Sequence, residues 1–154
     1  MSLPPFQEFL EDCGPDIWRF LVASVGALEA EDCWQETFMA ALRAYPRLRP
    51  GSDARAWALK IAQRKAIDSH RARGRRAVPS DSLPETVGDD AHPDHHLWAR
   101  VRELPPKQRF AIAHRYVLDL SYAQVGEQIG CSAEAARRNV HEGLKKLRKE
   151  WIDD

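Results

Sequence analysis

Ser121-Tyr122-Ala123-Gln124-Val125-Gly126-Glu127-Gln128-Ile129-Gly130-Cys131-Ser132 reads as one short helix, a tight turn and the start of another helix. Ser121 followed three residues later by Gln124 is a capping-box pattern that opens a helix. Gly130 suits the left-handed position that closes it, and Ser132 can cap the next helix. Small Ala123 and Gly126 would let the two helices cross closely. Beyond the turn, Ala136, Val140, Leu144, Leu147 and Trp151 recur at spacings of three and four, which makes a buried stripe. Arg137, Arg138, His141, Lys145 and Lys146 fall on the other face. This is a helix-turn-helix pattern with a basic outer surface on its second helix.

Working outward, only helix signals recur, and neither a period-two strand nor an internal repeat is present. Ile17, Phe20, Leu21 and Val25 form one apolar stripe, and Trp34, Phe38, Ala41 and Leu42 another. Residues 46–52 hold two prolines and a glycine, so a loop is expected there. Asp53 can cap the following helix, whose apolar face includes Trp57, Ile61 and Ile67 and which should fade near Gly74. Pro79, Pro84, Gly88 and Pro93 stand among acids and serines, the composition of a flexible linker. Helices resume near Leu97, and Pro106 suits the first turn of one that runs through Val117. The expected fold is all-α, with helical domains at residues 1–76 and 97–154 joined by an acidic linker at 77–96.

The chain has 154 residues, enough for two small domains, and 44% of them are hydrophobic. No stretch approaches the roughly 20 apolar residues of a membrane span. The N-terminus lacks the basic and apolar regions of a signal peptide. Three cysteines without C-x-x-C spacing argue against a disulfide framework, so a cytoplasmic location is expected. The formal net charge of zero hides a strong sorting of charge. Residues 1–42 carry eight acids against Arg19 alone, whereas residues 43–76 carry eleven bases against Asp53 and Asp68. The linker has five acids and no Lys or Arg. Such asymmetry points to a polyanion for the middle segment and a different partner for the acidic start.

A recognition helix puts its first turns into the major groove, where base edges carry a readable pattern of donors and acceptors. Ser132, Glu134, Arg137, Arg138 and His141 are the candidates for that contact, and Lys145 lies where phosphate is the expected partner. In the basic middle segment Arg49, Ser52, Arg55, Lys60, Arg64 and Arg71 flank a loop, an arrangement suited to a single strand held by its phosphates. Gly51 and Ser52 can bring backbone close to an extruded base. Trp57 is read as core; Tyr45 could be core or a stacking platform. Asp32, Gln35 and Glu36 share one helical face, which suits a basic protein surface.

Two blocks carry a family resemblance. Asp32-Cys33-Trp34-Gln35-Glu36-Thr37-Phe38, then Arg49-Pro50-Gly51-Ser52 and Arg55-Ala56-Trp57, precede the helix-turn-helix by about seventy residues. In this order they resemble the extracytoplasmic-function (ECF, group IV) sigma factors of bacterial RNA polymerase, in the sigma-70 family. The resemblance implies that Asp32, Gln35 and Glu36 dock on the clamp helices of the polymerase β′ subunit. It implies that the Arg49–Trp57 run, with Ile61-Ala62 and Ile67-Asp68, binds the −10 promoter element and captures a flipped base. Leu104-Pro105-Pro106-Lys107-Gln108-Arg109, Arg115-Tyr116 and the helix-turn-helix look like the domain that reads the −35 element and contacts the β flap. Many members of this family are held by an anti-sigma factor, which the resemblance makes a candidate partner.

The sequence departs from the family at three places. Gln63-Arg64 stands where Arg-Asn is common, Asn139 closes an unusual recognition-helix run, and Glu142 occupies a position that is often basic. These changes imply a distinct promoter sequence or a lower intrinsic affinity for DNA.

No catalytic residue, cofactor or metal site is expected. His92, Pro93, Asp94, His95 and His96 lie in the linker without a rigid scaffold, and no phosphate loop, H-E-x-x-H or nucleophile elbow occurs. The alternative function is a stand-alone helix-turn-helix regulator that binds duplex DNA as a dimer, which leaves the Asp32–Phe38 block unexplained. A degenerate sigma-like interaction protein is a third class.

Overall fold

The computed structural model describes residues 3–75 and 95–153. Among the described residues seven α-helices follow in order: α1 Phe6–Val25, α2 Ala27–Ala44, α3 Ala54–Arg75, α4 His95–Val101, α5 Pro106–Tyr116, α6 Tyr122–Ile129 and α7 Ala133–Asp153. A single 3-10 turn, Tyr45–Arg47, links α2 to the loop before α3. No strand occurs among the described residues. Most of the linker therefore lies outside the described residues, as do His92, Pro93 and Asp94 and the side chains of His95 and Trp151.

The first three helices pack as a bundle. Ile17, Phe20 and Leu21 of α1 meet Ala30, Cys33, Phe38 and Ala41 of α2 and Ala58, Leu59, Ala62 and Ala66 of α3, all buried. Each large side chain among them contributes roughly 1.5–3 kcal/mol through the surface it takes out of water. The apolar face of α3 differs from the expected one. Trp57, Ile61 and Ile67 are only half-buried, because three alanines form the contact row and let α3 lie close to its neighbours. Leu42 was expected in the α2 stripe but is 55% exposed, one position past the buried Ala41. Tyr45 settles as core: it is buried, its ring centroid lies 5.2 Å from Phe9, and its hydroxyl donates to the Pro4 carbonyl. Burial also raises its hydroxyl pKa above the ordinary tyrosine value.

The last four helices extend this core with Phe110, Ala111 and Ile112 of α5, Val125 of α6, and Ala136, Val140 and Leu147 of α7. Their turn chemistry follows the sequence closely. The Gln124 backbone N–H donates to the Ser121 hydroxyl at 3.1 Å, and the Ser121 backbone N–H donates to the Gln124 side-chain oxygen at 2.9 Å, completing the capping box. Gly130 adopts φ 80° at the end of α6, and the Ala135 N–H donates to the Ser132 hydroxyl at 3.1 Å. Gly126 permits the close crossing, since a Cβ there would stand 2.5 Å from the Cys131 carbonyl oxygen. Ala123 has no such part, because it faces solvent. Cys131 is half-buried in the turn.

Candidate nucleic-acid and polymerase interfaces

Helix α2 exposes Asp32, Gln35 and Glu36 while burying Cys33, Thr37 and Phe38. The 3.6-residue turn separates these two sets, so the three polar side chains share one outward face. Phe38, part of the same sequence block, belongs to the core and not to this face. Leu28 at 73%, Met39 at 59% and Leu42 at 55% exposure flank the acids on that face. Sequence reading missed Leu28 and Met39 and placed Leu42 inside, because an exposed leucine looks like core to any periodicity argument. A surface with acids between exposed apolar side chains suits a protein partner that brings both basic and apolar groups.

The loop before α3 is ordered by two local bonds. The Ser52 N–H donates to the Arg49 carbonyl at 3.1 Å, and the Ala56 N–H donates to the Asp53 carboxylate at 3.0 Å, which is the expected cap. Between them Gly51 sits at φ 89° with nothing within 4 Å of its notional Cβ. Arg49 and Ser52 are exposed at the loop, and Lys60 and Arg64 are exposed one turn apart on α3. The side chain of Arg71 lies outside the described residues. Arg55 faces elsewhere: its guanidinium lies 3.1 Å from Asp16 of α1, which also pairs with Arg19. Sequence reasoning grouped Arg55 with the other bases and missed Asp16. Distance along the chain hid this pair.

Ser132 at the cap of α7 and Glu134, Arg137, Arg138, His141 and Lys145 on the helix are all exposed, with Ala136, Val140 and Gly143 packed behind them. The two departures noted in the recognition helix have different settings. Asn139 is half-buried and donates to the Ala135 carbonyl at 3.0 Å, so its amide is occupied within the helix. Glu142 is exposed beside His141 and Lys145.

Residues 9–76 match the family described as Sigma-70 region 2, and residues 96–147 match Sigma-70, region 4. The chain is 35% identical to the ECF RNA polymerase sigma factor SigD of Mycobacterium tuberculosis, over 95% of this chain and 76% of that protein. It belongs to the ECF sigma factors of bacterial RNA polymerase. As such it directs core polymerase to specific promoters in transcription initiation. The RNA polymerase sigma factor CarQ of Myxococcus xanthus is 31% identical over 94% of this sigma factor and 87% of CarQ. In fold it is similar to the sigma factor RpoE of Bartonella quintana, solved with the anti-sigma factor NepR. That match has a TM-score of 0.76 at 23% identity and covers 97% of this chain and 98% of that one. CnrH, solved with the cytosolic domain of CnrY, matches with a TM-score of 0.73 at 19% identity over 97% and 88% of the two chains. Among the described residues no helix is long and apolar enough to cross a membrane. Within the same limits no group of three or more His, Cys, Asp or Glu is placed to hold a metal ion.

Proposed function

We propose that residues 1–76 join this sigma factor to core polymerase and hold the −10 element, and that residues 97–154 read the −35 element. The exposed Asp32, Gln35 and Glu36 face of α2 meets the β′ clamp helices, with Leu28, Met39 and Leu42 adding apolar contact. Arg49, Ser52, Lys60, Arg64 and Arg71 line the path of the non-template strand around the open loop at Gly51. A base flipped out of the duplex there offsets the few kcal/mol that unpairing costs, which favours melting without bond chemistry. Arg137 and Arg138 fork onto base edges in the major groove, Ser132, Glu134 and His141 stand beside them, and Lys145 contacts phosphate. Helices α4 and α5 face the β flap. This work takes place in the cytoplasm, where polymerase and promoter are, and needs neither a cofactor nor a catalytic group. An anti-sigma factor is a candidate regulator, as RpoE was solved with the anti-sigma factor NepR.

The observation that carries this reading is the separation of two exposed faces of opposite charge, acids on α2 and bases on α7. The test is promoter-dependent transcription with purified core polymerase, the full chain and a genomic fragment library at low salt. Specific start sites that disappear with Asp32→Arg or Glu36→Arg support the assignment, since both residues are exposed and the changes leave the core intact. Tight duplex binding by the protein alone, without association with core polymerase, would instead favour the independent regulator.

A further inference from the structure

Helices α1 and α2 leave between them a groove of about 650 Å³, walled by Leu10, Glu11, Pro15 and Trp18 on one side and by Glu31 and Trp34 on the other. None of these six residues belongs to the surfaces assigned above to polymerase, the −10 strand or the −35 duplex. Trp18 is 38% exposed, although an indole is among the largest apolar groups a chain can bury. Trp34 is half-buried and held in place. Its Nε1–H donates to the Gly14 carbonyl at 3.1 Å, and its ring centroid lies 4.7 Å from that of Phe38. With its only donor spent on the chain, this indole offers the groove apolar and π surface alone.

Apart from the Gln35 amide at its rim, the polar groups along the groove are acceptors. Glu11 and Glu31 are exposed carboxylates, and no Lys, Arg or His lines the groove. Glu11 accepts from Gln7 Nε2 at 3.2 Å, while Glu31 has no ion-pair partner among the described residues. Pro15 has no N–H, so the Glu11 carbonyl one turn earlier lacks its helical donor. Two carboxylates and a spare carbonyl beside two indoles suit a cation that both donates hydrogen bonds and stacks on π faces. A guanidinium does both, because it is planar, forks onto carboxylates and lies flat on aromatic rings. An ammonium donates but has no flat face, and a quaternary ammonium has nothing to donate.

We propose that this groove binds a small guanidinium compound with a short apolar tail. Its volume falls in the range of roughly 300–1,000 Å³ typical of small-molecule sites. The guanidinium pairs with the carboxylates and stacks on the indoles, while the tail lies against Leu10 and Pro15. Gln35 stands at the edge of the groove and also on the α2 face assigned to polymerase. Occupancy of the groove therefore competes with docking on core polymerase, a step that rests on the polymerase reading above.

The test is a titration of the full chain with n-butylguanidinium at low salt, followed through the indole N–H signals in proton–nitrogen NMR spectra. The signals of Trp18 and Trp34, assigned with Trp18→Phe and Trp34→Phe, should shift and saturate, while those of Trp57 and Trp98 stay in place. Glu31→Gln should weaken binding by about threefold to tenfold, and n-butylammonium should bind about threefold more weakly than the guanidinium. Glu31 is exposed, so the fold survives its replacement, and unchanged Trp57 and Trp98 signals report that. Shifts that never saturate, shifts spread over all the tryptophans, or equal affinity in Glu31→Gln would each overturn the site. A peptide with arginine between two leucines that binds more than about tenfold tighter would also overturn it, by making the groove a docking surface for a protein. With ligand at about four times its dissociation constant, full competition weakens association with core polymerase by about fivefold. Unchanged core affinity would overturn the competition alone, and failure of the unliganded chain to bind core would instead overturn the polymerase reading.

Discussion

Replacing Gly126 with alanine should damage the helix-turn-helix more than replacing Gly130, although Gly130 is the residue with the unusual backbone. At Gly126 the added Cβ would lie 2.5 Å from the Cys131 carbonyl oxygen and 3.0 Å from that of Ser132. Both neighbours are backbone, so relief requires moving the turn itself. The same turn brings the Gly130 and Cys131 N–H groups to the Gly126 carbonyl at 2.8 and 2.9 Å and sets the Ser132 cap. Overpacking of this kind costs about 1–3 kcal/mol, and loss of a cap about 1 kcal/mol more. Alanine returns about 1 kcal/mol of helix propensity, leaving a net loss of about 2 kcal/mol. At Gly130 nothing lies within 4 Å of the Cβ position, so only the left-handed backbone, φ 80°, is strained, at about 1–2 kcal/mol. Native-state hydrogen exchange at the amides of residues 130 and 131 reads this locally, as a fall in protection of about thirtyfold for Gly126→Ala. Affinity for duplex DNA should fall with it, because the start of α7 moves. Equal protection in Gly126→Ala and the unmodified protein would refute the reasoning, as would a larger loss in Gly130→Ala.

Further outcomes are expected elsewhere. Burial pushes the His114 imidazole down to about 3, below its ordinary value near 6.5. The unfolded chain therefore takes up a proton between those limits that the folded chain does not. Stability is complete above about pH 6.5 and declines on acidification, by about 2 kcal/mol between pH 8 and pH 5, and urea titrations at the two pH values should show a smaller difference in His114→Gln. Asp16→Asn should free Arg55 and raise affinity for single-stranded DNA by about two- to threefold at low salt, with the gain fading as salt rises; fluorescence anisotropy checks this. Arg137→Ala should reduce discrimination between promoter sequences by about 1–3 kcal/mol, whereas Lys145→Ala should weaken all duplexes alike and flatten the salt dependence; competition binding separates the two.

Local chemistry explains what could be read from the order of residues alone. The caps at Ser121, Ser132 and Asp53, the left-handed Gly130 and the stripe of α7 each depend on partners within four positions. The acidic face of α2 and the basic face of α7 follow from the helical period in the same way, as does the all-α fold. Where a helix had several apolar residues to choose from, the reading slipped. Leu42 and Ile67 look as buried as Ala41 and Ala66 by type, and only packing against a neighbour decides between them.

Contacts between residues far apart in the chain lay beyond such reading. Asp16 reaches Arg55 across the first bundle, and Gln63 meets His114 and Gln128 across the domain seam. Helical periodicity says which side chains share a face but not which face another helix will cover. The sequence by itself determined the helices, their caps, the charge of each exposed face and the family. Only the tertiary structure decided that one arginine of the basic segment is held by an acid, and that a glutamine on the same helix ties the two domains together. These pairings arise because chain folding brings distant polar groups together, where a donor withdrawn from water gains by meeting an acceptor.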